Sequence, residues 1–144
     1  AVVFDLPPVT EMAQENIAAE GLEERISTLP GNYLTDPIGG PYDLVWISSI
    51  VHMHTPGENR SLMRKAAEAL TAGGRIVVRD FLLDEDGAGP AHAALFAVNM
   101  LVGTEGGRSY RASEISEWLE AAGLADIEVR HGASDGLVMG RKVA

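Results

Sequence analysis

The stretch Leu44-Val45-Trp46-Ile47-Ser48-Ser49-Ile50-Val51 restricts the fold more than any other part of the chain. It is mostly apolar and β-branched, and it lacks the strict alternation of a half-exposed strand. That pattern suits a parallel strand covered on both faces and ending at His52. A strong helix start follows in Thr55-Pro56-Gly57-Glu58, with Thr as N-cap, Pro at the first position and Glu three residues after the cap. Leu62, Ala66, Ala69 and Leu70 then form one apolar stripe. Gly73-Gly74 is expected to stop that helix and lead into a strand from Arg75 to Leu83.

The remainder continues the alternation. Val2 to Leu6 reads as a short strand. Pro8 begins a helix on which Val9, Met12, Ala13 and Ile17 recur at helical spacing, and Gly21 ends it. Arg25 to Leu29 is a second short strand, closed by the turn Pro30-Gly31-Asn32. After an acidic loop over Asp84 to Gly89 comes a helix over Ala91 to Val102 that is apolar on nearly every side. Such a helix is expected to be buried, or to line a pocket or a subunit contact. Gly103 to Tyr110 is a glycine-rich loop without the lysine of a phosphate loop or the G-x-G-x-x-G spacing. Ser113 is expected to cap a helix with Ile115, Trp118, Leu119 and Ala122 inward. Strands over Asp126 to His131 and Gly136 to Val143 pair antiparallel across a short turn. The fold class is therefore α/β, a single domain over 1–144 with a mostly parallel sheet, an antiparallel C-terminal strand and helices on both faces.

Composition narrows the function. The 144 residues are 46% apolar and 22% charged, with a net charge of −10 and no cysteine. Absence of cysteine removes disulfides, thiolate catalysis and zinc–thiolate sites. The negative balance, with scattered Lys and Arg, argues against nucleic acid and for a small-molecule partner. No apolar run reaches 18 residues, so no membrane association is expected, and a cytoplasmic location is compatible with the cysteine count.

Three polar residues fall at or near the carboxyl ends of successive strands: Asp5, His52 and Asp80. In open α/β sheets ligands bind outside those ends, and the three tips are expected to meet around one crevice. Asp5 can take the two hydroxyls of a ribose, or it can simply favour the start of the following helix. A neutral His52 can remove a proton from a hydroxyl, or be satisfied by backbone groups. Asp80 interrupts an apolar run and needs a partner: the second nitrogen of His52, or Arg75 or Arg79 at the surface. Asn32 and Tyr33 can reach a purine, although Asn32 also suits a plain turn. His52 and His54 could form a metal pair, but no third ligand is evident and no metal is expected. Asn99, on the apolar helix beside Phe96 and Met100, is expected to need partners for a buried amide.

The chain resembles the catalytic domain of the S-adenosylmethionine-dependent O-methyltransferases that include caffeic-acid-type, acetylserotonin and bacterial polyketide-tailoring enzymes. The matching pieces are Phe4-Asp5-Leu6-Pro7, Gly31-Asn32-Tyr33, Ile50-Val51-His52-Met53, Gly73-Gly74-Arg75-Ile76-Val77-Val78, Asp80, Asn99-Met100-Leu101 and Gly106-Gly107-Arg108. The resemblance implies a Rossmann-like class I methyltransferase sheet without its first strand and glycine motif. It implies that Asp5, with Leu6 beside it, binds the ribose of S-adenosylmethionine, and that Gly31, Asn32 and Tyr33 border the adenine. Ser48 would contact the cofactor too. His52 would be the catalytic base with Asp80 beside it, and Met53, Asn99 and Met100 would border a small, aromatic acceptor. The full-length protein would be a homodimer, and the isolated 144 residues inactive and weak in cofactor binding. Asn32 and Ser109 stand where the family usually has acids. The alternatives are a degenerate methyltransferase-like module with a ligand-binding or dimerisation role, and a nicotinamide oxidoreductase, for which the glycine-rich turn is wanting.

Overall fold

The computed structural model describes residues 1–143. They form two compact units, Ala1–Gly39 and the chain from Gly40 onward.

In the first unit, β1 (Val2–Asp5) and β2 (Ser27–Pro30) pair in parallel, Val2 opposite Ser27 and Asp5 opposite Pro30. Helix α1 (Pro7–Ala19) connects them, starting on a proline whose missing N–H costs nothing there. Gly21, at φ +64°, supplies the left-handed turn that ends it. Gln14 Nε2 donates to Thr28 Oγ1 at 2.7 Å and ties the helix to β2. The expected apolar stripe is only partly covered: Ala13 and Ile17 are half-buried, whereas Val9 and Met12 are exposed.

The second unit is built on a four-stranded sheet in the order β3 (Tyr42–Ser48), β4 (Leu70–Asp80), β8 (Gly136–Lys142), β7 (Leu124–His131). Strands β3 and β4 are parallel and linked through α2 (Pro56–Glu68), while β8 runs antiparallel to both β4 and β7. A small parallel pair, β5 (Leu82–Leu83) with β6 (Tyr110–Arg111), stands apart from the sheet. Between them runs α3 (Ala91–Gly103), and α4 (Ala112–Ala121) precedes β7. Helices α2 and α4 pack on each other and on one face of the sheet. Ile47, Ile76, Val78 and Val138 meet Leu62, Met63, Ala66, Ile115 and Leu119 in that layer, all buried.

Several expectations change. Helix α2 ends at Glu68, before Gly73-Gly74, and the glycines lie inside β4 instead. They form an irregularity in the pairing between Tyr42–Leu44 and Leu70–Arg75, where Gly73 takes φ +78°. The end of α2 is satisfied by a cation: Lys142 Nζ donates to the carbonyls of Ala67 (2.8 Å) and Leu70 (2.9 Å). Ser113 is not the cap of α4. Arg111 precedes the helix, its N–H donating to Glu114 at 3.1 Å, and Ser113 Oγ donates to Glu85 at 2.7 Å. Within this unit the helices α2 and α4 share one face of the sheet instead of dividing between two, and Trp46 on the other face is 54% exposed. Helix α3 is not buried as a whole: Leu95, Val98, Leu101 and Val102 are exposed, Ala93 is fully buried, and Ala94, Phe96, Ala97 and Met100 are half-buried.

Candidate active site

Strand β3 ends at Ser48, three residues earlier than its apolar run suggests, because Ser49 adopts φ +57° and turns the chain. A 3-10 turn over Val51–Met53 follows, so His52 sits in a tight turn and not on the strand tip. Helix α2 then starts with the expected capping box. Thr55 Oγ1 accepts from the Glu58 N–H at 3.3 Å, and the Glu58 carboxylate accepts from the Thr55 N–H at 2.8 Å. These bonds pull the Glu58 carboxyl below its ordinary value.

His52 and Asp80 meet in the interior. Nδ1 of His52 lies 2.7 Å from Asp80 Oδ1, and the His52 N–H donates to Oδ2 at 3.3 Å. Asp80 Oδ1 also accepts from the Phe81 N–H at 2.8 Å. The two side chains are 10% and 2% exposed, respectively. A carboxylate only accepts, so Nδ1 carries a proton, and in the neutral ring Nε2 is the nitrogen with the lone pair. Nε2 has no partner among the described residues. Phe96 of α3 packs edge-on against the imidazole at 4.8 Å and touches Phe81 at 4.5 Å, giving the ring a dry wall. Arg79 does not compete for Asp80. It points to the other face of β4, where it pairs with Asp135 and its Nη1 lies 3.4 Å from Ser48 Oγ. This resolves the choice of partner for Asp80 in favour of the histidine.

The other candidates are placed as follows. Asp5 closes β1 with Oδ1 accepting from the Leu6 N–H at 2.8 Å, and Oδ2 has no partner among the described residues. The Gly31 N–H donates to the Asp5 carbonyl at 2.9 Å. A Cβ at Gly31 would lie 2.8 Å from the Phe4 ring, which would have to shift to admit it. Asn32 uses Oδ1 to accept from the Leu34 N–H at 2.9 Å, a side-chain-closed turn. Tyr33 next to it is half-buried. Ser48 shares a sheet face with Arg79, opposite that of Asp80. Met53 is 49% exposed, Met100 half-buried, and Asn99 exposed, so Asn99 carries no buried amide in need of partners. Ser109 is buried, with Oγ donating to the Ala93 carbonyl at 3.2 Å. No group of three or more metal-ligating side chains occurs among the described residues. Burial pushes His54 below the ordinary histidine value, against the opposing Glu58 charge.

Three neighbours of the turn are not evident as site residues in the sequence: Asn59, Gly107 and Tyr110. For Asn59 a signal exists, since it lies three residues before Leu62 and so continues the buried stripe of α2 with a polar side chain. Tyr110 reaches the turn through the β5–β6 pairing, which no local pattern announces, and Gly107 lies in the glycine-rich loop just before β6.

The O-methyltransferase domain family matches residues 1–125. The chain belongs to that family. It is 39% identical over 134 residues to the 3-hydroxy-5-methyl-1-naphthoate 3-O-methyltransferase of Streptomyces sahachiroi, covering 93% of this chain and 39% of that one. It is 36% identical over 125 residues to the L-tyrosine C(3)-methyltransferase of Streptomyces lavendulae, covering 86% and 34%. Its fold superposes on human N-acetylserotonin methyltransferase in complex with SAM with a TM-score of 0.88 at 30% identity, covering 99% of this chain and 40% of that one. The α/β architecture is thus the one these methyltransferases share, and the chain spans about two fifths of their length. No helix among the described residues is long and apolar enough to cross a membrane.

The loop after α3 is held by Arg108, whose Nη2 reaches Glu114 at 2.6 Å while its guanidinium lies 4.3 Å over the Tyr110 ring. Burial raises the Glu114 carboxyl, but the Arg108 and Arg111 hydrogen bonds and charges outweigh it and hold the group below its ordinary value. A depressed carboxylate stabilises the fold above the usual carboxylate range and loses that contribution as pH falls through it. Glu114→Gln is therefore expected to melt below the parent at pH 7, with the gap closing toward pH 4 (thermal unfolding at both values).

Proposed function

We propose that the full-length protein transfers a methyl group from S-adenosylmethionine to a hydroxyl of a small aromatic molecule, with His52 as general base. The pairing of His52 with Asp80 carries this reading. It gives a buried imidazole one nitrogen fixed as donor and the other open as acceptor, in a site walled by aromatic rings. The same pairing speaks against a degenerate, non-catalytic module. S-adenosylmethionine, when bound, supplies a methyl on a positively charged sulfur, already activated toward nucleophiles. Asp5 fits that cofactor: a carboxylate at a strand tip, one oxygen without a partner among the described residues, can accept from a ribose diol. Leu6, Gly31, Asn32, Tyr33 and Ser48 would complete its surroundings, and Met53, Asn99 and Met100 those of the acceptor.

Within that frame the residues have distinct tasks. His52 Nε2 takes the hydroxyl proton as the oxygen becomes nucleophilic. Asp80 holds the tautomer and stabilises the imidazolium that forms. Phe81 and Phe96 keep water from the base. Removing a phenolic proton activates the neighbouring ring carbon as well as the oxygen, which suits a family with both O- and C-methylating members; product NMR tells the two apart. A homodimer would give the exposed apolar side chains of α3 a cover, and the cytoplasm, where the cofactor is made, would be the site of action.

Calorimetry on the full-length protein tests the cofactor assignment. Asp5→Ala removes a charged acceptor and is expected to weaken S-adenosylmethionine binding about 10- to 100-fold, the worth of hydrogen bonds to a charged group. Unchanged affinity would remove Asp5 from the site.

A further inference from the structure

The turn that carries His52 is held from below by side chains to which the reading above gives no task. Asn59 of α2 is fully buried, and its Nδ2 donates to the carbonyls of Val51 (2.9 Å) and His54 (3.3 Å), one on each side of His52. Tyr110 of β6, also buried, donates its hydroxyl to the same His54 carbonyl at 2.5 Å. Burial pushes the Tyr110 phenol above its ordinary value, so it remains a donor at every pH the enzyme would meet. Gly107 lies against the turn with no room for a methyl: a Cβ there would sit 2.3 Å from the His52 carbonyl oxygen and 2.9 Å from the Met53 carbonyl carbon.

We infer that Asn59, Tyr110 and Gly107 are positioning residues that clamp the Val51–His54 backbone so that the His52 imidazole stays on Asp80 with Nε2 presented to the acceptor. Two features argue for this over a filling role. Asn59 Oδ1 has no partner among the described residues, so the amide is a costly way to fill a buried space, and what it obtains is two bonds to one turn. Tyr110, for its part, stands directly opposite Leu82 in the β5–β6 pair. That pair lies two residues beyond Asp80, so one short ladder fixes both the carboxylate that holds the ring and the phenol that holds its backbone. This inference rests on the proposed base role only for its effect on rate; the clamp itself is a structural claim.

The test uses full-length protein with 15N-labelled histidine. In the parent the Nδ1–H of His52 is expected to give a slowly exchanging imidazole signal, identified by its loss in His52→Ala. Tyr110→Phe, which removes one oxygen, is expected to speed exchange of that signal. It should also lower kcat about 10- to 100-fold, the scale for misplacement of a catalytic group, with the KM for S-adenosylmethionine unchanged. Gly107→Ala removes no side chain and serves as the second variant, with the same expected outcome. Leu124→Val, a core change in β7, is the control, expected to reduce stability while sparing both signal and kcat. A parental imidazole signal in both Tyr110→Phe and Gly107→Ala overturns the clamp. Parental methyl transfer by His52→Ala would instead overturn the base reading, and the imidazole signal would still decide the clamp.

Discussion

Replacing His52 with alanine in the full-length protein should lower methyl transfer about 10²- to 10⁴-fold, the usual contribution of a positioned general base. Affinity for S-adenosylmethionine should hardly move, because His52 is assigned to the acceptor's proton and Asp5 to the cofactor. Single-turnover assays with a phenolic acceptor, set beside calorimetry, separate the two effects. A parental rate would refute the assignment, and a joint collapse of rate and cofactor binding would indicate a structural role. The imidazole packs edge-on against Phe96, so His52→Gln, closer in volume, is the companion variant. It should lose nearly as much rate, since an amide cannot take up the proton.

Much of this site can be read from the chain. A histidine closing an apolar run just before a capped helix, and an acid alone in a second apolar run, are visible without coordinates. Their meeting follows from parallel β3 and β4 lying side by side. What the pattern hides is mostly non-local. The strand before His52 stops early because of one backbone angle at Ser49, and a serine does not announce a left-handed conformation. The carbonyls at the end of α2 are met by Lys142, 74 positions after Glu68 in the numbering, and the nearby glycines lie in β4 instead. Helix α3 shows the limit of composition. Its all-apolar sequence points to burial, a pocket wall or a subunit contact without choosing among them; Leu101 and Val102, at 76% and 84% exposed, set burial aside, because hydropathy says that a surface wants cover and not where the cover comes from.

Trp118 is where the largest loss of stability is expected. It is 2% exposed on the inner side of α4 and meets the Tyr110 ring edge-on at 4.8 Å. Truncating a buried tryptophan costs about 3–5 kcal/mol through lost burial and the cavity left behind. For a chain of this size Trp118→Ala should lower the melting midpoint by roughly 10–20 °C, followed by circular dichroism. A shift of only a few degrees would mean that the α2–α4 layer repacks around the void. Since Tyr110 leans on this indole, residual activity below the midpoint should fall further than in Leu124→Val at matched stability.

Arg79 and Asp80 are consecutive on β4 and point to opposite sides of the sheet, one to Asp135 and the other to His52. Sliding that strand by a single residue would exchange them and set a guanidinium against the imidazole, turning an orienting anion into a repelling cation. The alignment is enforced on both flanks, by Ser48 opposite Arg79 on β3 and by Gly136 opposite Asp80 on β8. The pairing of His52 with Asp80 is thus written into how the ribbons are threaded: an insertion or deletion within Arg75–Asp80 would part the proposed base from its carboxylate without touching it.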